Sequence, residues 1–212
     1  MPAGSDEGEI VRRLHSGDSS AVAEAFALHR PRLKRMVRLR LDRRLAGRLD
    51  ASDVIQDAFL DATRRFAEYT QNSSLPFFIW LRLLTIQKLA ELHRRHLGTK
   101  ARDAAREISL HGGPVPQAES QMLAAKLVDR VSSPSGRVAR AEMKARLQEA
   151  LDQLDPLDRE VIALRHFEKL SNKEIAHATE LSISGASSRY VRAMLKLKQL
   201  LSQFPEFEEG LG

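Results

Sequence analysis

Residues 154–201 read LDPLDREVIALRHFEKLSNKEIAHATELSISGASSRYVRAMLKLKQLL, and this stretch decides the fold of the C-terminal part of the chain. The pair Asp155-Pro156 predicts a helix N-cap followed by proline at the first helical position. The run from Ser171 to Glu174 is a capping box, and Ser182 can cap a further helix. Two short consecutive helices, one over 172–179 and one from about Ile183, predict a helix-turn-helix, whose second helix can enter the major groove of DNA.

The second helix of this motif has one polar face and one apolar face. Ser188 and Arg192 lie four residues apart and share the polar face, whereas Ala193 and Leu197 point the other way. Serine can hydrogen-bond bases or phosphates, and arginine can read guanine through two hydrogen bonds. The alternative is a structural helical hairpin with ordinary surface charges, and Arg189 could pair with a nearby acid. The candidate DNA contacts are Ser187, Ser188, Arg189, Arg192 and Lys196.

Composition favours an all-α chain of one large or two small domains. Of its 212 residues, 42% are apolar but only 5% are aromatic, and Leu, Ala, Arg, Glu and Lys dominate. The sequence has no cysteine, which excludes disulfides and thiolate metal sites. Residues 1–97 contribute +5 (17 Lys+Arg against 12 Asp+Glu) to a net charge of +6, so the N-terminal half suggests a polyanionic partner.

The remaining pattern predicts two helical domains joined by a linker. In the first domain, residues 1–97, we expect a helix from about Ser19 to Leu45 that Pro31 kinks or restarts, and a second helix from Asp50 or Ser52. The turn-forming segment 69–76 predicts a loop before a third helix, 76–97. Residues 98–140 read as a linker with a short helix near 117–131, and residues 141–212 form the helix-turn-helix domain.

Three segments carry a family resemblance. Residues 154–201 resemble the fourth conserved region of sigma-70 family factors, matching its LDPLDREVI opening, its KEIA and its SxR and RAxxxL. DASDVIQDAFLDATRRF, residues 50–66, looks like the family's polymerase-binding helix, and PFFIWLRLLTIQKLAELHRRH, residues 76–96, looks like its promoter-melting helix. Only a linker separates the two halves, which resembles the minimal, extracytoplasmic-function type.

The resemblance implies a cytoplasmic sigma factor that binds core RNA polymerase, directs it to promoter DNA and assists melting. The sequence has no recognisable catalytic motif and no apolar stretch long enough to span a bilayer, so we expect no enzyme activity, cofactor, metal or membrane insertion. The resemblance adds an anti-sigma factor as a further partner. The polymerase-binding candidates are Asp53, Gln56 and Asp57, although Asp53 could instead be a helix-start acid that favours the helix dipole. The loop Tyr69–Leu75 is where we expect a pocket for a flipped base, and Trp80 could stack on a base or belong to the core. The candidates for contact with the −10 element of the promoter are Tyr69, Gln71, Asn72, Trp80, Arg94 and Arg95.

Several positions depart from the family pattern. Glu180 stands where glycine is common in the turn, and Gly185-Ala186 replaces a Thr-Val pair before Ser187. Gln87 and Glu91 stand where Asn and Asp are common. The alternatives to a sigma factor are a stand-alone helix-turn-helix regulator and a protein-interaction module that has lost promoter binding.

Overall fold

The computed structural model describes residues 3–45, 48–72, 74–97, 118, 120–128 and 137–204, and across these ranges the regular secondary structure is entirely helical. This confirms the all-α fold class. The chain forms two compact units, residues 1–116 and 117–212. The helices are α1 Ala3–His15, α2 Ser20–Arg40, α3 Ala51–Asn72, α4 Phe77–Leu97, α5 Ser120–Val128, α6 Arg137–Asp152, α7 Pro156–His166, α8 Asn172–Thr179 and α9 Ile183–Leu201, with a short 3₁₀ turn at Arg43–Leu45.

The first unit begins with a helix, α1, that the sequence pattern did not predict. Leu14 of α1 is buried, and Gly17 turns the chain into α2 with a φ of 83°, a left-handed conformation that glycine adopts readily. Arg13 of α1 donates hydrogen bonds to Asp18 and to Glu24 of α2 at 2.8 and 2.9 Å. These contacts attach α1 to α2, which packs in turn against α3 and α4.

Pro31 lies inside α2 and does not start a new helix. The segment Ser20–Arg40 is one helix in which Pro31 is exposed. Proline removes its own amide donor and crowds the carbonyl four residues before it, but the buried Val22, Leu33 and Val37 hold the helix to the core on both sides of it.

Helix α3 is longer than the sequence predicted, because residues 69–72, expected in a loop, continue the helix. Ala62, Phe66 and Tyr69 follow one another at helical spacing and are all buried. The apolar stripe of α3 therefore runs one turn further than Phe66, and this packing outweighs the turn-forming residues that follow.

The second unit includes α5, which lies within the range predicted to be a linker. The helix expected near 117–131 is present, but it packs against α6 through the buried Leu123, Ala124 and Val128. The Ser120 hydroxyl donates to Asp152 at the end of α6 over 2.5 Å. Within residues 98–140, helix α5 is therefore part of the second unit and not a free tether. It packs on α6 because it has an apolar face to bury.

Helices α6 to α9 surround the core of the second unit, with Leu151, Val161, Ile175 and Ala193 among its fully buried residues. The predicted N-cap of α7 is confirmed, since the Asp155 carboxylate accepts from the amide of Leu157 at 2.9 Å. No helix in the described ranges has the length and apolar character that crossing a membrane requires.

Candidate nucleic-acid interface

The helix-turn-helix of the second unit is formed by α8 and α9, as the sequence predicted. Ser171 and Glu174 form the capping box at the start of α8. Helix α8 ends at Thr179, and Glu180 then adopts a left-handed conformation with φ 57° and ψ 29°. A side chain at such an angle costs roughly 1 kcal/mol, which explains why glycine suits this turn.

Helix α9 begins with a cap that uses the small size of Gly185. The Ser182 hydroxyl accepts a hydrogen bond from the amide of Gly185 at 2.9 Å. A Cβ atom added to Gly185 would lie only 2.9 Å from the same hydroxyl oxygen. Gly185, which stands where the family pattern has a residue with a side chain, therefore leaves room for the Ser182 hydroxyl to cap α9.

The outer face of α9 presents polar residues to solvent, opposite the buried Ala186, Ala193 and Leu197. Ser188 and Arg192 are exposed on successive turns of this face, and Ser187 is half-buried at its edge. Lys196, also exposed, lies one turn beyond Arg192. This burial places the predicted DNA-reading side chains on an accessible surface, and their contacts with DNA remain predictions.

Arg189 is engaged within the protein. Its Nη1 atom lies 3.0 Å from Oδ1 of Asp158 and 3.2 Å from Oδ1 of Asp155, and both acids belong to the start of α7. The side chain retains only 28% of its exposure. Of the two alternatives for Arg189, the structure therefore shows the pairing with nearby acids.

The sequence pattern missed an apolar part of the same outer face. Val191 is 51% exposed and Leu195 is 62% exposed, one helical turn apart. Both lie beside Arg192, so the accessible surface of α9 is mixed rather than uniformly polar. The sequence analysis assigned neither residue to this face, and the orientation of α9 in the structure exposes both.

In the first unit, the predicted polymerase-binding residues lie along the first two turns of α3. Asp53 contributes to the helix start, since its Oδ2 accepts from the amide of Asp50 at 3.0 Å. Asp53 and Gln56 are exposed, and Asp57 is half-buried. Asp53 therefore does stabilise the start of α3. Gln56 and Asp57 take no part in that contact, so they can still meet a partner.

Gln56 also borders an apolar groove of about 270 Å³ between α2 and α3. The rings of Phe26 and Phe59, 4.8 Å apart between centroids, form part of its wall. Leu60, on the turn after Gln56, is 47% exposed. This groove, which sequence reasoning missed, places apolar surface directly beside the predicted acidic and amide patch.

Tyr69 and Trp80 pack on each other inside the first unit. Their ring centroids are 4.6 Å apart, and the residues are 5% and 4% exposed. The Tyr69 hydroxyl donates to the carbonyl of Leu75 at 3.1 Å, and burial raises the pKa of that hydroxyl. Both rings are buried against each other, so Trp80 is a core residue in this structure, and base contacts by Tyr69 and Trp80 stay predictions.

The other predicted −10 residues are at the surface. Gln71 is exposed at the end of α3, whereas the side chain of Asn72 lies outside the described residues. Arg94 and Arg95 are exposed near the end of α4, and Arg95 contacts Glu91 at 2.7 Å.

A polar cleft of about 420 Å³ opens between α3 and α4 beside these arginines. The ammonium group of Lys88 bridges Glu91 at 2.8 Å and Asp61 at 3.0 Å, and these contacts raise its pKa. The cleft contains both departures from the family pattern in α4. Its lining residues are Asp61, Arg65, Leu84, Gln87, Lys88, Glu91 and Arg94.

No cluster of three or more His, Asp and Glu side chains with metal-binding geometry occurs in the part of the chain that the structure describes.

Comparisons with known proteins agree with the fold and with the position of the helix-turn-helix. Residues 144–197 match the family described as Sigma-70, region 4. RNA polymerase sigma factor CarQ of Myxococcus xanthus is 30% identical over 197 residues, covering 91% of this chain and 96% of CarQ. RNA polymerase sigma factor NccH of Alcaligenes xylosoxydans xylosoxydans is 27% identical over 196 residues, covering 91% of this chain and 92% of NccH.

A solved structure shares the fold. The structure of CnrH in complex with the cytosolic domain of CnrY matches with a TM-score of 0.50 at 23% identity, covering 92% of this chain and 96% of that chain. The relatives match across both units, and CarQ does so over nearly its whole length. The chain therefore belongs to the sigma-70 family of RNA polymerase sigma factors, as a member of its extracytoplasmic-function type.

Proposed function

We propose that this sigma factor binds core RNA polymerase through its first unit and reads the promoter −35 element through α9. The observation that carries the proposal is the exposed face of Ser188 and Arg192, fixed by the burial of Ala193 and Leu197 on the opposite side. A helix held in this way presents its first turns to base edges in the major groove.

The charge balance supports a requirement for polymerase. Residues 141–212 carry 10 Lys+Arg against 12 Asp+Glu, a net charge of −2, so the helix-turn-helix domain has little general attraction for phosphates. Binding core polymerase raises the effective concentration of α9 at the promoter, which compensates for weak binding by the isolated chain.

Polymerase docks, in this proposal, on the surface formed by Gln56, Asp57 and the groove beside Phe59. The acidic and amide groups pair with basic residues of the polymerase clamp helices, and the groove accepts an apolar side chain. Apolar anchors contribute most of the affinity at such interfaces, whereas exposed charges mainly determine orientation and association rate.

Strand opening takes place, in this proposal, at the surface made by Gln71, Arg94 and the cleft between α3 and α4. Tyr69, which is buried within α3, contributes less to this surface than the sequence predicted. The cleft presents the guanidinium group of Arg65 and the amide of Gln87, groups that suit a phosphate and the edge of an unpaired base, whereas Lys88 is paired with Asp61 and Glu91. Holding the opened strand there makes melting less costly without covalent chemistry.

An anti-sigma factor is the proposed regulator, acting in the cytoplasm. The solved structure that shares this fold contains CnrH bound to the cytosolic domain of CnrY. An inhibitor that covered the groove beside Phe59 would compete directly with polymerase.

A gel-shift with and without core polymerase tests the proposed function. The sigma factor shifts a promoter fragment only when polymerase is present. A shift by the chain alone, unchanged by polymerase, would identify a stand-alone regulator, and no specific shift in either case would identify an interaction module.

A further inference from the structure

Arg189 connects the recognition helix to the beginning of α7. Its Nη1 atom is shared between the carboxylates of Asp158 at 3.0 Å and Asp155 at 3.2 Å. Asp155 is at the same time the N-cap of α7, because its Oδ1 also accepts from the amide of Leu157. The ion pair is therefore built on a helix terminus whose own geometry is fixed.

The next residue of α9 contacts the opposite end of α7. The hydroxyl of Tyr190 lies 2.8 Å from Nε2 of His166, the last residue of that helix. Asp158 and His166 are eight residues apart, which corresponds to about 12 Å along a helix axis. Two adjacent side chains of α9 thus contact α7 at two well-separated points, and such an arrangement resists rotation of α9 about its own axis.

Rotation of α9 matters because its reading residues occupy a narrow sector. Ser188 and Arg192 lie about 40° apart around the helix, so a modest rotation would turn one of them away from the base edges. Direct base readout requires hydrogen-bond geometry that tolerates little misplacement. A contact that fixes the rotation of α9 therefore affects which sequence is read.

From this geometry we infer that Arg189 is a positioning residue for promoter recognition, and that Asp155 and Asp158 hold it away from DNA. The inference rests on the proposed −35 function of α9. The arginine sets the orientation of Ser188 and Arg192 through its contacts with these two carboxylates.

The test measures binding of reconstituted holoenzyme to a promoter fragment defined by transcript start mapping, and to the same fragment with a scrambled −35 element. Arg189→Gln and Asp158→Asn should each reduce the preference for the intact −35 element about tenfold, a loss of about 1.4 kcal/mol. The slope of affinity against salt should not change for Arg189→Gln, since no phosphate contact is removed. The charge-swapped double variant R189D/D158R should recover a substantial part of the preference.

The opposite results would overturn the inference. If Arg189 contacts DNA directly, Asp158→Asn should keep or increase binding, and Arg189→Gln should reduce the salt slope by about one. If the charge-swapped variant does not fold, as judged by circular dichroism, the two single variants still distinguish a positioning role of Arg189 from a direct contact with DNA. Arg192→Ala serves as the reference, because an unchanged −35 preference in that variant would contradict the proposed function of α9 itself.

Discussion

The backbone amide of Asp42 donates a hydrogen bond to Nε2 of His93 over 3.3 Å, joining the end of α2 to the last turns of α4. The bond requires Nε2 to be an acceptor, so it forms only with the neutral imidazole. Burial lowers the pKa of His93, while the nearby Asp42 acts in the opposite direction and Arg44 in the same direction. Protonation of His93 thus works against the structure of the first unit.

We expect the stability of the first unit to fall as the pH decreases below about 6.5. The unfolded chain binds a proton to His93 near this pH, whereas the folded chain resists it, so the folded state loses relative stability until its lower pKa is reached. His93→Gln should weaken this pH dependence. The measurement is urea unfolding of the full chain between about pH 8 and about pH 5.

His96→Gln is the matched control, since His96 is exposed three residues further along α4. It should leave the pH dependence unchanged. An undiminished loss of stability at low pH in His93→Gln would show that another group is responsible.

Local signals in the sequence were sufficient for much of the fold. Capping residues predicted α7, α8 and α9 to within about two residues, because a cap is decided by neighbouring groups. Glu180 shows what local signals cannot predict. The neighbouring residues are compatible with glutamate at this position, and its strain is apparent only from the left-handed φ angle in the structure.

Tertiary contacts account for the elements that the sequence did not predict. Helix α1 has few apolar residues, and its attachment to α2 combines the buried Leu14 with the pairing of Arg13 with Asp18 and Glu24. Tyr69 looked accessible because turn-forming residues follow it, yet its partner Trp80 is brought to it only by the packing of α3 and α4. The pairing of Arg189 likewise involves acids 31 and 34 positions away, which spacing along the chain cannot assign.

Glu180→Gly should stabilise the second unit by about 0.5–1 kcal/mol. Glycine adopts φ 57° without strain, and this gain exceeds the added flexibility of the unfolded chain. Urea unfolding of the full chain measures the effect. Glu180→Ala is the control, because it removes the carboxylate but keeps the strained Cβ; equal stability of the two variants would contradict the argument.

Asp57→Arg should abolish association with core polymerase while leaving the helical circular dichroism spectrum unchanged. The substitution reverses a charge on the proposed docking face, and arginine is as compatible with a helix as aspartate or more so. Pull-down with purified core polymerase provides the measurement.

The matched control for this variant is Glu142→Arg, the same reversal of charge at an exposed position of α6. It should retain polymerase binding. If Asp57→Arg is captured as efficiently as Glu142→Arg, polymerase docks elsewhere on the first unit.

Arg192→Ala should abolish transcription from −35-dependent promoters while polymerase binding survives. The side chain is exposed one turn after Ser188, and its neighbour Ala193 is fully buried, so truncation removes a surface group without disturbing the core. A base-reading arginine contributes roughly 1–3 kcal/mol, and its loss relaxes specificity at one base pair. A phosphate-binding arginine would instead weaken all sequences about equally.

Run-off transcription at limiting sigma factor and physiological salt distinguishes these outcomes, together with competition by promoters that carry single changes in the −35 element. Arg140→Ala, which removes an exposed arginine from α6 in the same unit, is the matched control and should transcribe normally. The slope of affinity against salt separates the two roles, because only the loss of a phosphate contact reduces that slope. Wild-type transcription by Arg192→Ala would show that this face of α9 does not read the promoter.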